Sequence, residues 1–296
     1  MELVSAALLS RLPACPMIKL SKSVSLACGI AFAGAISLTA HAAESFLDLE
    51  SIPAVVGVGI GRGPDYRGSN DDVTLGAPFA RYTFKGEQRY VQLMFNEASA
   101  NLVDSKKFQA GPVLSYHFGR DTFADAELVD PVVRKMQPVD NTVEAGVFGN
   151  VIWTDEANPR NRFSVGVTLL TDAGGESNGS RARFSVRWWH QVSLPVDINL
   201  GAGFIYADGK YNDHYFGVNA ANVGTSGLPF YAMGGGVNEY FVTAAALVYL
   251  SKEWLVGAGV RLADLSSDAK DSPIVALRGD KSSYTIWGVG VGYIWW

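Results

Sequence analysis

The sequence predicts an all-β fold, a transmembrane antiparallel up-and-down β-barrel of the outer membrane with about twelve strands, ten being the alternative count. Three observations lead there. From Ala54 onward, apolar and polar residues alternate with a period of two, which places them on opposite faces of strands. The alternating segments run for roughly 10–12 residues, long enough to cross a bilayer at a tilt, whereas strands of globular sheets are mostly about 5–6 residues long. Their apolar faces end in aromatics, namely Trp153, Trp188, Tyr206, Trp254, Tyr293 and Trp295, the ring types that favour the two membrane interfaces.

Taken in chain order, residues 1–42 read as a signal region that export through the Sec pathway removes. Met17 is a possible true start, because Pro13 and Pro16 suit neither a helix nor a signal. Lys19 and Lys22 make a short positive region, Val24 to Leu38 an apolar stretch, and Ala40-His41-Ala42 the small-x-small cleavage pattern. Cys28 is a poor lipidation site, since most of the apolar stretch lies after it. Residues 43–53 form a short periplasmic segment, and residues 54–296 the barrel.

The strands expected are 54–61, 73–84, 88–96, 108–118, 142–153, 162–171, 180–191, 196–206, 237–250, 253–263 and 283–295. In 162–169, Phe163, Val165, Val167 and Leu169 alternate with Arg162, Ser164, Gly166 and Thr168. The next segment sets Ala182, Phe184, Val186 and Trp188 against Arg181, Arg183, Ser185 and Arg187. Eleven strands break the even count of a bacterial barrel. Long loops at 264–282, 207–236, 172–179 and 119–141 belong outside the cell, and short turns at 251–252, 192–195 and 154–161 in the periplasm. The tight turn Lys85-Gly86-Glu87 then falls on the wrong side unless another strand lies near 97–106, which makes twelve. The Gly, Pro and aromatic content of 207–236 suits a loop folded over or into the barrel mouth.

Composition agrees with this reading. The chain of 296 residues is 48% hydrophobic and 18% charged, with 32 glycines, too apolar for disorder. No mature run is long and apolar enough for a membrane helix. The net charge is −5, and the signal region takes Arg11, Lys19 and Lys22 with it against only Glu2. The acidic remainder argues against nucleic acid as a partner. Cys15 and Cys28 also leave, so the mature chain has no disulfide or thiolate chemistry.

Several patterns carry little chemistry. Gly57-Val-Gly-Ile-Gly61 and Gly288-Val-Gly-Val-Gly292 lie inside strands with no helix after them, so they are inner-wall glycines rather than nucleotide loops. Asp172-Ala-Gly-Gly-Glu-Ser-Asn-Gly179 lacks the Lys of a phosphate loop. His117, His190 and His214 are far apart in sequence, and neither a metal nor a cofactor is expected. Ser115 and His117 share a strand face without an evident orienting group, a thin basis for a lipid hydrolase; the chain is read as no enzyme. Arg162, Arg181, Arg183 and Arg187, with Glu144 and Asp197 on neighbouring strands, are the candidate lumen-lining residues. They make either a set of ion pairs that plugs the barrel or an anion-preferring constriction.

Seven stretches, in this order across about residues 55–296, resemble the MipA/OmpV family of outer-membrane proteins: Gly63-Pro-Asp-Tyr-Arg-Gly-Ser-Asn70, Gly111-Pro-Val-Leu-Ser-Tyr-His-Phe-Gly-Arg-Asp121, Tyr215-Phe-Gly-Val218, Ser226-Gly-Leu-Pro229, Gly234-Gly-Gly236, Asp271-Ser-Pro-Ile-Val275 and the closing Gly288-Val-Gly-Val-Gly-Tyr-Ile-Trp-Trp296. Trp296 extends one residue past the family's terminal alternating segment. The resemblance implies a scaffold that holds a murein lytic transglycosylase near a peptidoglycan synthase, with outer-membrane lipid around the barrel. It transfers no catalytic or binding residues, and it leaves the oligomeric state open. A small-solute, anion-preferring channel is the alternative function, and an outer-membrane lipid hydrolase the third.

Overall fold

The computed structural model describes residues 54–120, 130–279 and 281–295, and in it twelve antiparallel strands close into one barrel. They are β1 (Ala54–Pro64), β2 (Asp72–Thr83), β3 (Tyr90–Met94), β4 (Glu97–Asn101), β5 (Phe108–His117) and β6 (Thr142–Thr154), then β7 (Arg162–Asp172), β8 (Ser180–Ser193), β9 (Val196–Ala207), β10 (Gly236–Tyr249), β11 (Trp254–Leu265) and β12 (Ser283–Ile294). Each strand pairs with its sequence neighbours, and β1 pairs with β12 from Val55↔Ile294 to Arg62↔Trp287. Closure satisfies the backbone groups that an open edge would leave unpaired in hydrocarbon. The expected signal region 1–42 and periplasmic segment 43–53 lie outside the described residues.

The period of two decides which residues face lipid. Val56, Val58 and Ile60 on β1, and Trp287, Val289, Val291, Tyr293 and Trp295 along β12 and just past its end, all stand exposed on the outer wall. Trp153, Trp188, Tyr206 and Trp254 do the same. Inside, glycine makes room for larger rings. A Cβ on Gly57 would lie 2.2 Å from the ring of Phe79 and 2.4 Å from the Val291 carbonyl oxygen, so only glycine lets Phe79 lie against the seam between β1 and β12.

The strand missing from the first count is β4. A single segment expected at 88–96 is in fact β3, followed by the turn Phe95–Asn96 and β4 at Glu97–Asn101, near the position that loop parity required. Five-residue strands carry too few alternations to show in sequence. Phe95 adopts φ 57° at this turn, a left-handed value rare for an aromatic. Because β3 pairs with β2 only over Phe79–Thr83, the upper part of β2 reaches past the hairpin. Phe118 closes the notch, packing on Leu75 and stacking on Phe95 at 5.8 Å.

With twelve strands, every short connection except the Phe95–Asn96 turn falls at one end of the barrel. Residues 84–89, 102–107, 155–161, 194–195 and 250–253 lie there with the start of β1 and the end of β12, and the long connections share the other end. Among the described residues, three α-helices stand among the long connections: α1 (Gly209–Phe216), α2 (Ala220–Ser226) and α3 (Ser267–Lys270). Each is capped by the side chain before it, Asp208, Asn219 and Ser266, which accepts from a backbone N–H of the first turn. The connections share an apolar core of their own, in which Tyr66, Val133, Met136, Val218, Leu228 and Ile274 are buried together. Phe216 of α1 enters a second cluster with the inward-facing Ile205, Phe241, Tyr284 and Ile286. The segment expected at the barrel mouth therefore folds into it.

Candidate functional site

The polar side chains of the inner wall form the candidate site, and they fall into three layers. Nearest the long connections, β8 presents Arg181 and β6 presents Glu144. Arg181 donates through Nε to both carboxylate oxygens at 3.0 and 3.1 Å and through Nη2 at 2.7 Å. The side chains are each only 2% exposed. His117 on β5 brings Nδ1 to 3.7 Å from the same carboxylate. In the same layer Arg261 and the Tyr284 hydroxyl both bind Glu239.

In the middle layer, Arg183 Nη2 donates to both oxygens of Glu97 at 3.0 Å and to Thr168 at 3.3 Å. Arg187 faces the lumen from the same strand, half-buried. Arg81 stacks over Tyr90 at 3.6 Å and donates to Gln92. Nearest the short turns, Asp197 accepts from Arg160 at 2.6 Å and from the Tyr249 hydroxyl at 3.1 Å, while Arg162 lies over the Trp189 ring at 4.9 Å. An apolar cluster of Val55, Phe79, Met94, Trp189, Leu247, Leu255 and Ile294 crowds this end of the lumen.

All six residues singled out in the sequence thus face the interior; Arg181 and Glu144 pair with each other, and the rest have other partners. Arg181 meets Glu144; Asp197 meets Arg160, which lies in a turn and gave no signal. Glu97 was hidden because β4 was hidden. Arg261 stands between Val260 and Leu262 and was legible as a lone charge in an apolar strand. Glu239 was obscured by its apolar neighbours Tyr240 and Phe241, both in the strand but on opposite faces. Arg67 belongs to the connection after β1 and only the tertiary fold turns it inward.

The histidines behave unlike their spacing. His117 and His214 both contact Tyr215 of α1, at ring-centroid distances of 4.6 and 5.0 Å. His214 also lies 3.2 Å from Glu176, whose charge opposes the burial that lowers the imidazole pKa. His190 instead stacks on Trp188. Among the described residues, no three potential ligands gather for a metal. Ser115 and His117 face the lumen together with Glu144 opposite Ser115, yet no hydrogen bond joins Ser115 to His117 among the described residues. Arg181 occupies the carboxylate that would orient the imidazole, and α1 lies over it.

Comparison with known proteins adds the family. The profile described as MltA-interacting protein MipA matches residues 56–295, which is the whole barrel. The chain belongs to the MipA family. No curated protein matches this MipA-family chain. Among solved structures, it is similar to a NanC porin (10% identity, 82% of this chain and 100% of that one, TM-score 0.41). It is likewise similar to an outer-membrane channel of Pseudomonas putida F1 (8% identity, 82% and 96%, TM-score 0.41). A third is OmpT of Vibrio cholerae (10% identity, 82% and 96%, TM-score 0.35).

Proposed function

We propose that this MipA-family barrel is a non-conducting, non-enzymatic platform of the outer membrane. Its short-turn end, with residues 43–53 and after removal of the signal at 1–42, docks a murein lytic transglycosylase and places it near a peptidoglycan synthase. What supports this is side-chain packing at the two ends of the lumen. Helix α1 and the buried Arg181–Glu144 pair fill the long-loop end, and the apolar cluster around Trp189 fills the other. Short turns at the end that also holds both ends of the barrel strands fit a periplasmic face, and the family's description names an interaction.

A stable interface needs about 800 Å² per partner, more than any one of these turns offers. Three exposed leucines at the turn tips, Leu102, Leu194 and Leu250, supply apolar anchors spread around that face. Purified barrel should co-elute with the transglycosylase, and the Leu194→Asp, Leu250→Asp variant should lose the complex while still folding. Absence of binding, or binding indifferent to both leucines, would sink the proposal. The competing anion-channel reading draws on the excess of lumenal arginines; planar bilayers should record silence, and a steady anion-preferring current would put that reading first.

A further inference from the structure

Under α1, three guanidinium groups meet two carboxylates. Both carboxylates are fully engaged. Glu144 takes three hydrogen bonds from Arg181. Glu239 gives one oxygen to Arg261 and the other to the Tyr284 hydroxyl. Arg67 is the third cation. Its Nε stands 3.8 Å from Glu239 Oε2, outside hydrogen-bond range, and its side chain is 11% exposed.

The Arg67 Nη1 is buried and has no hydrogen-bond partner, and the same holds for His117 Nδ1 and the Tyr215 hydroxyl. Two of these groups are in ring contact, and the charge of Arg67 acts on both. The His117 and Tyr215 rings lie 4.6 Å apart, Tyr211 stands 4.6 Å from Tyr215 and 5.9 Å from His117, and Arg67 is within electrostatic reach of Tyr211, Tyr215 and His117. A buried guanidinium with an unmet donor, whose one nearby carboxylate is already hydrogen-bonded to Arg261 and Tyr284, is costly. An unmet guanidinium donor beside an unmet tyrosine hydroxyl, around one excess positive charge, defines what would relieve it.

We propose that this cluster binds one small anion, a halide or the carboxylate of a small acid, held by Arg67 Nη1 with the Tyr215 hydroxyl as a second donor. The bound anion completes the charge balance beneath α1 and so locks the helix in the barrel mouth. The site is independent of any partner at the short-turn end.

The test is urea unfolding of the refolded protein in detergent micelles, with chloride, bromide or formate replacing bulky gluconate at constant ionic strength. The midpoint should rise and saturate with the small anion, because a ligand that binds only the folded state stabilises it by mass action. Arg67→Met should abolish the anion dependence. Tyr215→Phe, which keeps the ring against His117, should raise the half-saturating concentration about five-fold for one lost hydrogen bond, and it carries the test if Arg67→Met does not fold. A response to bromide and not formate assigns a halide; a response to both assigns a carboxylate-tolerant site. No shift in the wild type, a shift that never saturates, or an equal shift in both variants overturns the proposal.

Discussion

Arg181→Met keeps the length of the side chain and removes its charge. Glu144 then remains 2% exposed, with His117 Nδ1 at 3.7 Å as its nearest remaining partner. The three hydrogen bonds lost are short and charge-assisted, at 2.7 to 3.1 Å. Breaking a buried pair from one side costs about 3–5 kcal/mol, because the surviving charge cannot be rehydrated in place. Glu144→Gln strands the guanidinium and should cost a similar amount. The double variant buries neither charge of the pair, and neutral replacement of a buried pair is often nearly free, so the cycle should return a coupling of several kcal/mol. The exposed pair Arg62–Asp72, with side chains 51% and 36% exposed, should give less than about 1 kcal/mol in the same cycle. Tryptophan fluorescence during urea unfolding in micelles measures all of these. A loss below about 1 kcal/mol for Arg181→Met would mean that water reaches the pair, and the plugged lumen would no longer stand.

Two further outcomes follow from the long-loop end. Burial raises the Asp65 carboxyl from 3.8 to about 6, against the hydrogen bond it accepts from the Tyr66 amide. The folded state keeps a proton that the unfolded chain has released, so stability falls as pH rises from about 3.8 to 6 and stays lower above it. Asp65→Asn should flatten that slope and unfold at higher urea than the wild type at pH 7; a less stable variant there would refute the assignment. Phe230 is 66% exposed between α2 and β10, so chymotrypsin should cut there in intact cells, and protection together with cleavage at the short turns would invert the orientation.

Much of this protein was legible in its residues. Period-two alternation over bilayer-length segments gave eleven strands with boundaries within a few residues. Loop parity gave the twelfth, because a barrel must return to the face it left. The rows Arg181–Arg183–Arg187 and Glu144 pointed inward by the same alternation. That information is local, carried by neighbours two residues apart, and a closed barrel turns it directly into a lipid face and a lumen face.

Tertiary structure alone decided who meets whom. Glu144 and Arg181 sit on strands separated by β7, and the tilt of the strands brings them together across it. Arg67 and Arg160 come from connections whose conformation no periodicity sets, and Glu97 depended on a strand too short to alternate visibly. His117 and His214 converge on Tyr215 because α1 folds into the mouth. Pairing across the lumen depends on shear, loop path and helix docking, which are properties of the closed barrel as a whole and have no trace in any one segment.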